Sequence, residues 1–134
     1  MMEVRPYDHE TDYPILRGWW RAWNPEDADP AHTLSPFGGV VEDDEGPIMA
    51  GFVYMSVGCG VCFFDRMVGR PGCLPVDLRD AAQFLIEYLQ IFAVGNDYKL
   101  AYARIERDGM VRELEKLGFC TIGKGITIMG KLIE

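Results

Sequence analysis

Asp65 lies in the apolar run Val61-Cys62-Phe63-Phe64-Asp65-Arg66-Met67-Val68, where alternation and β-branched or aromatic content predict a strand over residues 61–68. A carboxylate between apolar neighbours such as Phe64 and Met67 is a candidate general base, because partial burial disfavours its charged form. An ion pair with the adjacent Arg66 is the equally weighted structural alternative. After this run comes the loop Val68-Gly69-Arg70-Pro71-Gly72-Cys73-Leu74-Pro75-Val76-Asp77, and then a long apolar helix. A glycine-bearing loop feeding a helix N-terminus offers backbone N–H groups and a positive dipole end to a phosphate. Here Pro75 removes a donor and Asp77 and Asp80 bring negative charge. A carboxylate about 5 Å from a phosphate, at an effective dielectric of about 20, costs about 3 kcal/mol. Asp77 reads more simply as a helix cap, while Arg70 and Arg79 could grip phosphate oxygens bidentately.

The four cysteines are Cys59, Cys62, Cys73 and Cys120. Cys59-Gly60-Val61-Cys62 has the spacing of a zinc knuckle, but Cys73 and Cys120 form no second one, and Cys62 sits where a buried cysteine acts as a small hydrophobe. Reduced thiols and no metal are expected. Cys73 as a nucleophile would need a base, and His9 and His32 lie in segments that give no reason to meet it. Trp19, Trp20 and Trp23 crowd one short helix. One face must be core, and Trp19 and Trp20 are candidates for an acceptor groove or a protein contact.

With 134 residues, 49% of them hydrophobic, the chain fits one compact domain spanning residues 1–134. A formal charge of −8 argues against nucleic acid, whose affinity rests on Lys and Arg. The acidic run Glu42-Asp43-Asp44-Glu45 reads as a solvated turn. The sequence shows no apolar leader or spanning run, so the expectation is a cytoplasmic protein with no membrane partner.

These residues need elements to position them. A short strand over residues 3–7 precedes a helix capped by Thr11 or Asp12, with Pro14 in its first turn and Asn24-Pro25 at its end. Residues 37–42 and 47–57 read as a hairpin around Asp43-Asp44-Glu45-Gly46, and residues 61–68 as its third neighbour. A helix over residues 78–94 carries Leu78, Ala81, Ala82, Leu85, Tyr88, Leu89 and Phe92 on one face. The strand expected at residues 98–105 is then a parallel crossover partner. A short helix capped by Asp108 and closed by Gly118 follows, then strands at residues 119–122 and 126–132.

The order βα, ββ, β, α, β, α, ββ, with Arg5-Pro6 near the start and Glu115-Lys116-Leu117-Gly118-Phe119 near the end, resembles the GNAT N-acetyltransferase superfamily over nearly the whole chain. Trp19-Trp20, Leu34-Ser35-Pro36-Phe37-Gly38 and the proline-bearing loop look more specifically like the small GNAT-like proteins of tailed bacteriophages. The resemblance implies an α/β fold: a central, mostly antiparallel twisted sheet with one parallel crossover and helices on both faces. It also implies acetyl-CoA along residues 61–68, with pantetheine amides at the backbone of Met67 and Val68. The pyrophosphate would lie near Gly69, Arg70, Gly72, Cys73 and Arg79. The family loop runs Gln or Arg, two residues, Gly, one residue, Gly or Ala. Arg66-Met67-Val68-Gly69-Arg70-Pro71 keeps the Arg and one Gly and ends in Pro. Asp65 would be the base that neutralises an amine on a small-molecule or protein acceptor. Where the family often has a Tyr acid and an Asn, this chain has Leu114 and Arg107, which leaves Tyr102 and Tyr54 as candidate acids. The alternative is a catalytically inactive module of the same fold, a homo-oligomer or virion component acting in phage assembly.

Overall fold

The computed structural model describes residues 1–27, 33–105, 107–131 and 133. The elements are β1 (Glu3–Pro6), α1 (His9–Trp23), β2 (Gly38–Asp43), β3 (Gly46–Met55), β4 (Val61–Gly69), α2 (Pro75–Gly95), β5 (Leu100–Ala103) and α3 (Asp108–Lys116). The strands form one sheet in the order β1-β2-β3-β4-β5. All neighbours are antiparallel except β4 and β5, which the α2 crossover makes parallel. His32, from the expected loop, lies outside the described residues.

Strand alternation divides the interior into two layers. Val41, Met49, Val53, Cys62 and Phe64 face Ala81, Ala82, Leu85, Ile86 and Leu89 of α2, with Leu114 of α3 beside them. Val40, Ala50 and Phe52 face Leu16, Trp19 and Trp20 of α1. Helices therefore cover both faces, as expected. Glycine brings α2 close to the sheet: a Cβ on Gly39 would stand 2.7 Å from the Tyr88 ring.

Several boundaries differ from the sequence reading for local reasons. Asp8, not Thr11 or Asp12, caps α1, accepting the Glu10 N–H at 3.2 Å. Pro14 consequently lies inside the helix rather than in its first turn. Asp12 is instead buried, gripped bidentately by Arg5 at 2.6 and 2.8 Å, and accepts the Asp8 N–H at 2.8 Å. Arg5 also pairs with Glu42 and so ties β1, β2 and α1 together. Burial pushes the Asp12 carboxyl up, but the bonds from Arg5 and Asp8 outweigh it and leave it below the usual carboxylate range.

Leu74 takes the cap position of α2 with no side-chain bond, Pro75 is the first helical residue, and Asp77 lies in the first turn. Arg107 takes the cap position of α3, and Asp108 is its first residue. Gly118, at φ +95°, closes α3 as expected, and β5 is only four residues long. The strands expected over residues 119–122 and 126–132 do not form among the described residues, Leu132 lying outside them. A strand requires a partner as well as propensity. Phe119 packs on Phe64 with ring centroids 6.2 Å apart, whereas Ile122, Ile126 and Ile128 are exposed.

The irregularity that matters most is in β4. Ala50 faces Val68 and Phe52 faces Asp65, so the single Gly51 stands opposite both Arg66 and Met67. This is a β-bulge, with Arg66 left-handed at φ +57°. A Cβ on Gly51 would meet Met67 Cγ at 2.7 Å and Leu85 Cδ2 at 3.0 Å. Gly51→Ala should therefore lower stability by about 1–3 kcal/mol, read as a reduced denaturant midpoint with an unchanged slope. Asp12→Ala should cost about 2 kcal/mol, a buried-pair loss discounted because Arg5 is partly solvated. Because the Asp12 carboxyl is depressed in the folded state, its contribution is present above its ordinary value of 3.8 and lost as pH falls below it. Wild type and Asp12→Ala should thus converge in melting temperature on acidification.

Candidate functional site

β4 and β5 pair only from Val61–Leu100 to Phe64–Ala103, and the last link is the Arg104 N–H to the Phe64 carbonyl at 3.3 Å. Beyond that point β4 continues through its bulge and the chain after β5 leaves for α3. The gap between them is a cavity of about 1040 Å³, walled by the end of β4 and by the starts of α2 and α3, with the end of α1 at its mouth. Among the described residues six cations line it, Arg66, Arg79, Arg104, Arg107, Arg112 and Lys116, against four acids, Asp27, Asp65, Asp108 and Glu113. The described part of the cavity wall is thus net positive in a chain whose formal charge is −8, and it favours an anionic occupant.

Asp65 faces this cavity, but in an ionic setting rather than the apolar one expected. Arg104 bonds it at 3.2 and 3.3 Å, and the Arg66 N–H donates to it at 2.7 Å. The Arg66 side chain is not its partner: it reaches Asp27 bidentately at 2.9 and 3.1 Å and lies over the Trp20 ring at 5.4 Å. The left-handed turn at Arg66 is what separates the two neighbours. Across the cavity Glu113 is buried between α2 and α3, receiving Gln83 and Lys116 at 3.1 Å each. Burial pushes its carboxyl up, and those two bonds with the charges of Lys116 and Arg79 bring it below its usual value.

Among the loop residues the structure makes a division the sequence did not. Met67, Val68, Gly69, Cys73 and Arg79 line the cavity; Arg70 and Gly72 do not. Arg70 turns to the β2–β3 hairpin, where it reaches Asp43 at 3.1 Å and the Pro47 carbonyl at 3.0 Å, and its Nε donates to Cys73 Sγ at 3.2 Å. Arg70-Pro71-Gly72-Cys73 is a β-turn closed by the Cys73 N–H to the Arg70 carbonyl at 3.4 Å, with Gly72 at φ +83°. Proline followed by a positive-φ glycine is the sequence signature of a type II turn. Gly69 is glycine because Leu78 of α2 lies 2.6 Å from where its Cβ would be. Both glycines thus serve backbone geometry and helix packing.

Tyr54 and Tyr102 stand beside the cavity without lining it. Tyr54 faces Phe63 and Phe63 faces Tyr102 in register, giving an aromatic row across β3, β4 and β5. Burial pushes the Tyr54 hydroxyl above its ordinary value; the Ser35 backbone N–H, donating to its oxygen, opposes this and the charge of Asp65 adds to it. Trp19 is core, whereas Trp20 is buried but borders the cavity, with no hydrogen-bond partner for its Nε1 among the described residues. Trp23 is 39% exposed; its Nε1 donates to the Gly69 carbonyl at 2.7 Å, and the Arg107 guanidinium lies 3.9 Å above its ring. Sequence reasoning gave no role to Arg104, Arg112 or Lys116. Arg112 and Lys116 share the amphipathic α3 with inward Leu114, a usable signal, while Arg104 is placed only by the end of β5.

Cys59 and Cys120 are exposed, Cys62 is core and Cys73 is in the cavity wall. Burial pushes the Cys62 thiol up. Among the described residues no group of three or more His, Cys, Asp or Glu side chains could hold a metal ion, and no helix is long and apolar enough to cross a membrane.

No protein-family model and no curated protein matches the chain. Solved structures do. The aminoglycoside acetyltransferase AAC(6')-Iy, in complex with the bisubstrate analogue CoA-S-monomethyl-acetylneamine, has a TM-score of 0.69 at 17% identity, covering 98% of this chain and 99% of that one. Aminoglycoside 6'-N-acetyltransferase AAC(6')-Ih from Acinetobacter baumannii has a TM-score of 0.62 at 16% identity, covering 98% and 99%. N-acetylglutamate synthase from Neisseria gonorrhoeae, complexed with coenzyme A and L-arginine, has a TM-score of 0.69 at 12% identity, covering 96% of this chain and 29% of that one. At such identities the likeness is one of fold: this chain has the GNAT fold, and the first two of these structural neighbours are acetyltransferases.

The thiols give a direct check on the cavity wall. Under native conditions a chromogenic disulfide reagent should modify Cys59 and Cys120 rapidly and Cys73 more slowly. Cys62 should react only after denaturant is added, giving three kinetic classes resolved by mass spectrometry.

Proposed function

We propose that the chain is an acetyl-CoA-dependent N-acetyltransferase acting on an amine of a small-molecule or protein acceptor. The observation that carries this reading is the divergence of β4 from β5, which leaves a cationic cavity along an open strand edge beside the carboxylate of Asp65. An extended pantetheine arm can pair with such an edge as an added strand does, its amides meeting the backbone near Met67, whereas the Val68 groups point to β3. The phosphates of the coenzyme then fall toward α2 and α3. There Arg79, Arg107 and Arg112 line the cavity with Lys116, and a guanidinium fork suits phosphate oxygens. These side chains replace the glycine turn and bare helix end that Pro75 and Asp77 have altered.

In this reading Asp65 first takes a proton from the acceptor's ammonium; the neutral amine then attacks the acetyl carbonyl, the thioester C–S bond breaks, and the coenzyme leaves as its thiolate. The present partners of Asp65 are donors, two to Oδ1 and one to Oδ2, which leaves a lone-pair site on Oδ2 for the incoming proton. Tyr54, whose hydroxyl stays protonated through the neutral range, is the better placed donor for the departing thiolate. Tyr102, on the other neighbour of β4, is more exposed.

Calorimetry with acetyl-CoA should show saturable binding that weakens as salt rises. Absence of heat at millimolar ligand would remove the coenzyme from the proposal. In a survey of amine acceptors, Asp65→Asn should lower turnover about a hundredfold or more while coenzyme affinity stays within about twofold. Unchanged turnover would remove Asp65 as the base.

A further inference from the structure

Arg70 donates its N–H to the Ile48 carbonyl of β3 at 2.8 Å. Successive strand residues point their backbone groups to opposite edges, so the N–H and C=O of Gly69 face the cavity side of β4. The Gly69 carbonyl is therefore an acceptor offered to whatever lies in the cavity, and in this structure the Trp23 indole takes it at 2.7 Å. Arg107 lies over a face of the ring at 3.9 Å. One side chain from the last turn of α1 thus joins the end of β4 to the start of α3 across the cavity mouth. Trp19 and Trp20 belong to the α1-side core, whereas Trp23 does not and is 39% exposed. Among the described residues Trp23 belongs to neither core cluster, and an exposed cation–π contact adds only about 0.5–1 kcal/mol.

We propose that Trp23 occupies the place of the ligand's amide arm and controls its entry. An acyl carrier with a pantetheine-like arm takes the Gly69 carbonyl from Nε1 and moves the indole aside, and Arg107, released from the ring, turns to the carrier's phosphates. This rests on the coenzyme reading above, and the two fail in different ways. Binding of acetyl-CoA is compared in wild type, Trp23→Phe and Trp23→Ala, each checked for an unchanged melting temperature. Removing a competitor worth one hydrogen bond should tighten binding about two- to tenfold in Trp23→Ala, with Trp23→Phe intermediate. In the wild type, the Trp23 indole N–H resonance should shift and exchange faster with water on saturation. If wild type binds while Trp23→Ala binds equally or more weakly, or if the indole resonance does not move, the gate is overturned and the coenzyme reading stands. If no variant binds acetyl-CoA, both are overturned.

Discussion

The structure turns on one constraint: β4 cannot satisfy β3 on one edge and β5 on the other along its whole length. Its first half does both, because the α2 crossover brings β5 in parallel over four residue pairs. At Arg66 a bulge adds a residue, the backbone turns left-handed, and the second half stays with β3 while the chain after β5 departs. A sheet that paired throughout would have no cavity. The bulge also aims Asp65 and Arg66 apart, one toward Arg104 and the other toward Asp27, so that neighbouring opposite charges do not neutralise each other.

What surrounds the opening is consistent with that origin. Gly51 lets Met67 and Leu85 close over the bulge, and Gly69 lets Leu78 seat α2 against the strand end. The type II turn at Pro71-Gly72 then delivers α2 with Pro75 at its first position, a start that supplies few backbone donors. Charge compensates for this from another direction. Arg79 comes from α2, Arg112 and Lys116 from α3, and Arg107 from the cap of α3, so the positive wall is built by side chains from two helices. Arg70, the cation nearest the loop in sequence, instead anchors the hairpin through Asp43.

Sequence reasoning went furthest where one local rule decides. The hairpin at Asp44-Glu45, the crossover, the amphipathic faces of α2 and α3 and the glycine stop at Gly118 all follow from periodicity or turn chemistry. It failed where two rules compete. Asp12 reads as a helix cap, but a buried bidentate bond to Arg5 uses its carboxylate better, and Asp8 caps instead. The isoleucines after Gly118 have strand propensity, yet propensity without a paired edge leaves them exposed. Tyr54 and Tyr102 alternate correctly in their strands, but the face they share lies beside the cavity.

By itself the sequence determined the order of elements as far as α3, the parallel crossover, and the presence of a carboxylate on the strand beside the crossover. These depend on periods of two and 3.6 residues and on backbone preferences that act over a few positions. Only the tertiary structure decided which cations face one cavity and that Asp65 pairs with Arg104. It alone brought the third indole of α1 to the Gly69 carbonyl. Those outcomes are meetings of residues 39 and 46 positions apart. They are fixed by where a strand bulges and where two strands part, which no local preference encodes.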